Sequence, residues 1–519
     1  MAIISGSVAG VLALAVVAGA LISYFGRIQV DSREPPVVHP KIPFIGHLIG
    51  MIRHGPLYFT QVSSKVKAPI FTLPVLGNRT YVCGSPALTA AIQRASATLD
   101  FDELIVHAMP RFVGLSKEAA EILKDPTATT EGSRRVVEMA HSVINPPLQP
   151  QNMEDLTMKQ LKNFSDYFNG IRNDQEFKLY HMATRAVAFA SMDTFYGPKN
   201  PFKLNNDLME DFFVWETDVV PYMVGFFPSI FVRKATQALS RMGKSFEEYI
   251  NNGHVKEAHA LIQSRQALHE DAGISIPDQG RLEVGLSLAF NVNAGITTFW
   301  ILDNIYSRPE LLEEIRREVR ENAITAPGTI SYAKLKDSCH LLASVYRETM
   351  RINAPMNTAR WVKEDIVIAD TYLLRKGSVV QAAGGIMHWD PELWGEDVHS
   401  FNPRRFWGTQ SGLKNPPASD QKGEGKTSQQ VHAAAFRAFG GGASMCPGRF
   451  FAQMEIMSLV AVVVSGFDIL PPQGKEKVDW NPARDDTKFP FAVSKPVRDI
   501  DVRFRRREGM EDLEWKLDL

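Results

Sequence analysis

Between Phe439 and Ala452 the chain reads FGGGASMCPGRFFA, three glycines closing on one cysteine that a proline–glycine pair follows. Glycines let a backbone turn tightly and approach a flat group closely. Pro447 suits the first position of a helix, where its missing donor would be an orphan anyway. The run RFFAQMEIMSLVAVVV that follows has helical length and apolar content. Cys446 is therefore expected where a glycine-rich loop enters a helix, and the N–H groups and macrodipole there favour a thiolate. Three other readings compete: a buried cysteine packing as a small hydrophobe, a phosphate-binding glycine loop, and a cysteine nucleophile. The phosphate loop fails on spacing, since no Lys-Ser/Thr follows and GxGxxG is not met. For a nucleophile, no histidine stands nearby in a recognisable pattern.

The rest of the chain sets the context. Its 519 residues, 45% of them apolar, are ample for a large core. The motifs described below are spread along the chain, which points to one large catalytic unit. A net charge of −1 without a long basic tract argues against nucleic acid as a partner. Three cysteines, Cys83, Cys339 and Cys446, cannot form a disulfide framework and suit a reducing compartment.

Ala2 to Gly26 carries no charge. As a helix it would be roughly 37 Å long, enough to cross a bilayer of about 30 Å. A cleaved secretory signal would need a positive charge before the apolar run, and Met1 to Ile4 has none. Arg27, Arg33 and Lys41 follow the stretch, so the bulk of the protein is expected in the cytosol. The expected organisation is a membrane anchor over 1–26, a proline-rich hinge over 27–46 and a catalytic domain over 47–519. Gly6 and Gly10 have GxxxG spacing, for which chance is the simpler explanation. Phe71 to Cys83 reads as two strands about a Gly-Asn turn, and the chain from about Pro86 reads as mostly helical. Tyr222 to Val232, YMVGFFPSIFV, reads as core, with a membrane contact or a lid as alternatives. Ser411 to Gln430 reads as a solvated loop, and Phe489 to Arg507 as short strands and turns. The fold class expected is mainly α with a small β portion.

Three further patterns stand in order along the chain. PPVVHPKIPFIG spans Pro35 to Gly46. Glu348 and Arg351 stand one helical turn apart in SVYRETMR, where a surface ion pair is the usual meaning. Phe401, Pro403, Arg405 and Phe406 form FxPxRF. With Phe439, Gly442, Cys446 and Gly448 as FxxGxxxCxG, these resemble the motifs of the cytochrome P450 family over nearly the whole chain. The resemblance implies the P450 fold, with a helical heme domain and short sheets, and heme b as cofactor with iron held by Cys446. It implies that Phe439, Gly442, Gly448 and Arg360 help bind the heme, and that Glu348, Arg351 and Arg405 form a buried ion network. The resemblance further implies electrons from NADPH through a separate NADPH–cytochrome P450 reductase, with cytochrome b5 as a further donor. It also implies insertion of oxygen from O2 into a lipophilic small molecule, at the endoplasmic reticulum membrane with the domain facing the cytosol. The texture resembles filamentous-fungal enzymes acting on terpenoid, polyketide or alkaloid scaffolds.

Two departures from the family pattern stand out. Ser444 replaces the Arg or His that often precedes the cysteine by two and binds a heme propionate. Arg437 is a further basic residue near the loop, without an assigned role. In Ala294-Gly295-Ile296-Thr297-Thr298, Thr298 takes the position of the oxygen-side alcohol and Thr297 replaces the neighbouring acid. Ordinary hydrogen bonding back to the preceding turn is the alternative role for both. A register shifted by two puts Ile296 at the alcohol position and leaves Asn293 to order water. That register resembles the branch containing prostacyclin synthase and the sterol 7α- and 12α-hydroxylases. The missing acid also keeps open a heme-thiolate isomerase or dehydratase that needs no reductase; a non-catalytic heme-binding protein is the third class. Family position suggests a substrate pocket made by Phe101–Val113, Phe290–Ala294, Ala354–Asn357 and Phe489–Val493.

Overall fold

The expected hairpin forms with strands Ile70–Val75 and Asn78–Cys83. Its turn is Leu76–Gly77, both at positive φ (52° and 80°), rather than the Gly-Asn pair. Gly77 takes this conformation without cost, which makes the tight two-residue connection possible. The computed structural model describes residues 30–42, 44–224, 228–407 and 431–519. The anchor expected over 1–26 and the loop expected over Ser411 to Gln430 lie outside the described residues, as do Gly225, Phe226 and Phe227 of the aromatic stretch.

The hairpin opens a five-stranded sheet. Asn78–Cys83 pairs in parallel with Val379–Ala383, which pairs antiparallel with Asn357–Val362, and Leu99–Asp100 closes the edge. The proline hinge is docked on this sheet. Val38 N donates to Thr72 O, Thr72 N donates to Pro36 O, and the Thr72 hydroxyl donates to Pro35 O. Prolines lack donors but keep carbonyls, so the edge strand uses the acceptors that remain.

Helices form the larger part. Arg449–Gly466 is apolar around its circumference and buried along nearly its whole length, as a central core helix must be. It packs against Asn293–Tyr306, Glu154–Asn169 and Pro309–Asn322. Ile276–Tyr306 and Arg449–Gly466 are apolar enough to cross a membrane, but both lie mostly inside the fold. The first of these spans is two helices, Ile276–Asn291 and Asn293–Tyr306, separated at Val292. Just past the break, Gly295 lies against helix Leu179–Tyr196; a Cβ there would stand 2.6 Å from Thr184 Cα. Only glycine permits that crossing.

Two expectations are corrected in detail. The helix after the cysteine starts at Arg449 with Gly448 as its N-cap, so Pro447 lies in the preceding turn. Between Phe489 and Arg507 only Asp501–Arg506 is a strand, paired with Phe467–Leu470 and Gln175–Lys178.

Candidate active site

The cysteine loop is closed by its own backbone. Cys446 N donates to Phe439 O at 3.0 Å, and Gly440 and Gly442 take positive φ (73° and 64°) inside the loop. A Cβ on Gly442 would meet Gln93 at 3.0 Å, and one on Gly448 would lie 3.9 Å from Cys446 Sγ. Phe439, Gly442 and Gly448 thus shape the turn that presents the thiol. Cys446 is accessible to solvent, yet surrounding protein desolvates it and raises its pKa. Both hold when a side chain faces an enclosed space. The N–H groups of Gly448 and Arg449 and the Arg449 charge favour the thiolate, but burial outweighs them. The helix terminus therefore does not suffice for the thiolate expected from sequence, and a metal cation would supply the difference. Among the described residues no cluster of three His, Cys, Asp or Glu could hold a metal ion. A metal at Cys446 must then bring most of its ligands with it, as a macrocycle does.

Arg360 and Arg437 flank the loop. Arg360 is buried and donates to Ser444 Oγ at 2.8 Å and Gly441 O at 3.3 Å. Arg437 is buried, donates through Nη2 to Thr358 Oγ1 at 2.7 Å, and leaves Nε without a partner among the described residues. Burial lowers the pKa of both, and Arg360 helps push that of Arg437 down to about 10. Neither forms an ion pair with a described residue. The buried Gln93 Nε2 beside them is also unpartnered. Two buried cations and an orphan amide call for an anionic group. The two propionates of a heme fit that need, and Arg437 and Gln93 join Arg360 as candidates. The sequence carried Arg437 as a bare basic residue near the loop; its burial without an acid is visible only in three dimensions.

Behind the loop, helix His340–Asn353 presents Glu348 and Arg351, both fully buried. Arg351 Nε and Nη2 each donate to the Glu348 carboxylate at 2.8 Å, and Arg405 Nε donates to both of its oxygens at 3.1 Å. The remaining Arg351 donors reach His388 O at 2.6 Å and Val398 O at 2.8 Å. Arg405 Nη1 reaches Trp394 O at 2.6 Å. A carboxylate between two guanidinium forks satisfies the charge that burial would otherwise penalise. The network joins the loop through His388, whose Nε2 accepts from Arg437 N at 2.7 Å. Burial and the adjacent arginines hold His388 neutral, with its pKa down at about 3.

On the other side of the core, Thr298 Oγ1 donates to Ala294 O at 2.9 Å. Thr297 Oγ1 donates to Asn293 O at 2.8 Å and lies 3.3 Å from Met350 Sδ. Asn293 Oδ1 accepts from Val493 N at 3.3 Å, which tethers the following strap to this helix. The expected pocket segments meet here. Phe112 stacks with Phe491 at 6.3 Å between centroids, Ser494 N donates to Asn353 O, and helix Phe101–Phe112 rests on strand Asn357–Val362.

The comparisons with known proteins agree with this geometry. The Cytochrome P450 family model matches residues 292–488. The cytochrome P450 monooxygenase nodJ of Hypoxylon pulicicidum is 27% identical, covering 94% of this chain and 93% of its own. A cytochrome P450 monooxygenase of Gibberella zeae is 28% identical over 97% and 95% of the two chains. The 7-alpha-hydroxycholest-4-en-3-one 12-alpha-hydroxylase of Oryctolagus cuniculus is 24% identical over 92% and 94%. The solved heme domain of cytochrome P450DA superposes with a TM-score of 0.67, covering 93% of this chain and all of that one at 17% identity, a likeness of fold. The chain belongs to the cytochrome P450 family. It is an oxidoreductase of the P450 monooxygenase kind, and its cofactor is a cysteine-ligated heme.

Proposed function

We propose that Cys446 is the axial ligand of the heme iron, in an enzyme that inserts one oxygen atom of O2 into a lipophilic small molecule. The observation that carries the reading is the enclosed, desolvated thiol of Cys446 on a closed glycine loop flanked by Arg360 and Arg437. Bound heme supplies O2 activation, and the thiolate's electron donation favours O–O cleavage. The chain's residues do the rest. Arg360, Arg437, Gln93 and Ser444 hold the propionates. Helix Phe101–Phe112 and the strap at Phe491–Val493 exclude water and orient the substrate. The Thr298 hydroxyl holds a proton next to the oxygen side, anchored on Ala294 O.

The partner is an NADPH–cytochrome P450 reductase, with cytochrome b5 as a second donor. The organisation proposed is an anchor over 1–26, a hinge over 27–46 and a catalytic domain over 47–519, at the endoplasmic reticulum with the domain in the cytosol. Exposed apolar side chains support membrane contact: Ile42, Ile45, Ile49 and Ile52 near the N-terminal end of the described chain, and Ile230 and Phe231. A terpenoid, polyketide or alkaloid of fungal specialised metabolism is the substrate class. The 12-alpha-hydroxylase relative, whose name specifies a fused-ring sterol, favours a polycyclic terpenoid within that set.

One observation supports a second reading, a reductase-independent isomerase or dehydratase. Thr297 stands in place of the family's acid, and its hydroxyl is occupied by Asn293 O and Met350. Candidate scaffolds incubated with the purified holoenzyme, with and without NADPH and reductase, test both. Turnover that requires reductase and incorporates labelled O2 supports the monooxygenase; turnover without reductase overturns it.

A further inference from the structure

A cavity of about 160 Å³ lies between the cysteine loop and helix His340–Asn353. Tyr346, Gln93, Arg437, Gly441, Met445 and Arg449 are among the residues that line it. One ordered water needs about 10–15 Å³ measured in this way, and two to four polar partners, so the space holds several. Three buried donors at its wall have no partner among the described residues: the Tyr346 hydroxyl, Gln93 Nε2 and Arg437 Nε. Gln93 and Arg437 are accounted for by the propionates. Tyr346 is not.

Tyr346 stands two residues before Glu348, on the helix that the buried ion network clamps, so its ring is held in place. Burial keeps the phenol protonated far above neutral pH, and Cys446 adds to that effect. A buried hydroxyl without an acceptor forfeits about 1–3 kcal/mol unless water or a ligand satisfies it. The wall it faces includes residues on both sides of Cys446, and Arg449 Nη1 donates to Cys446 O at 3.0 Å.

We propose that Tyr346 is a positioning residue whose hydroxyl, through water held in this cavity, donates toward Cys446 and draws electron density from its thiolate. The inference rests on Cys446 being the iron ligand. Hydrogen bonds that withdraw charge from a ligating sulfur raise the reduction potential of the metal it holds. The phenol therefore makes the iron easier to reduce than the thiolate alone would.

The test compares heme-loaded wild type with Tyr346→Phe, reading the potential by spectroelectrochemistry together with the ferrous–CO spectrum. The variant is expected to shift the reduction equilibrium roughly tenfold toward the ferric form, about 59 mV for one electron, while keeping the thiolate-type Soret band. A merely structural phenol would alter the unfolding midpoint and leave the potential in place. An unchanged potential in heme-loaded Tyr346→Phe overturns the inference. Should that variant fail to load heme, a ring-fluorinated tyrosine at position 346, a stronger donor, is expected to shift the potential the other way, and no shift there overturns it equally. A wild type without the thiolate-type band would instead defeat the assignment of Cys446 itself.

Discussion

Arg360 donates to the Ser444 hydroxyl at 2.8 Å. The position two residues before the cysteine, where a charged residue often stands in this family, is thereby served by a cation from a different strand. Arg437 adds a second buried charge beside the loop. Propionate binding by such a pair predicts weak heme retention when either is removed. Arg360→Leu and Arg437→Leu should each release heme roughly tenfold to a hundredfold faster, from loss of a charged hydrogen bond worth about 1.5–3 kcal/mol. Heme transfer to a scavenging apoprotein measures the rate. Ser444→Ala should have a smaller effect, because the hydroxyl brings no charge.

The Glu348 network makes a prediction about folding. Glu348→Ala leaves the buried Arg351 guanidinium without its carboxylate, while Arg405 keeps Asp397, at a cost of about 3–5 kcal/mol. A loss of soluble, heme-loaded protein is the expected outcome, read from the yield at the Soret band and from urea unfolding. Exposed pairs such as Lys162–Asp166 should change stability by less than about 1 kcal/mol.

A pH dependence follows from Glu455, buried on helix Arg449–Gly466. It accepts from Gln160 Nε2 at 2.6 Å and from Ser191 Oγ at 2.8 Å. No cation pairs with it among the described residues, and burial raises its pKa from 4.5 to about 8. The folded state thus binds the proton more tightly than the unfolded chain. The favourable contribution is complete below pH 4.5 and is lost as pH rises toward 8. At 1.36 kcal/mol per pH unit the difference is about 5 kcal/mol. Unfolding free energy measured from pH 5 to 9 should fall in wild type, and Glu455→Gln should flatten the fall.

The sequence made the cysteine loop, the Glu348–Arg351 pair, the Arg405 segment and the first hairpin legible, because each is carried by residues close in the chain with a local physical reason. What it hid depends on distance. Gln160, Ser191 and Glu455 come from three helices and form no spacing pattern. Tyr346 and Gln93 read as ordinary helix positions until their donors prove unpartnered. The break at Val292 leaves no proline to announce it, and the tether from Val493 N to Asn293 joins residues far apart in the chain. The helix start at Arg449 instead of Pro447 is a boundary shift set by the turn at Gly448.

Thr298 and Thr297 are distinguished by their surroundings. Thr298→Ala should lower product formed per NADPH severalfold and raise peroxide release, with little change in stability, since only a bond to Ala294 O is lost. Thr297→Ala should leave coupling near wild type, because its hydroxyl is committed to Asn293 O and Met350. Peroxide and NADPH measured in parallel on any accepted substrate decide this; equal coupling in wild type and Thr298→Ala would favour the register with Ile296 at the alcohol position.

The ligation of iron by Cys446 is tested most directly by the ferrous–CO spectrum of the heme-loaded chain and of Cys446→Ser. The wild type is expected to show the red-shifted Soret band of a thiolate ligand, and the variant to lose that band together with turnover. A wild type lacking the band, or a Cys446→Ser protein that retains it, would contradict the account.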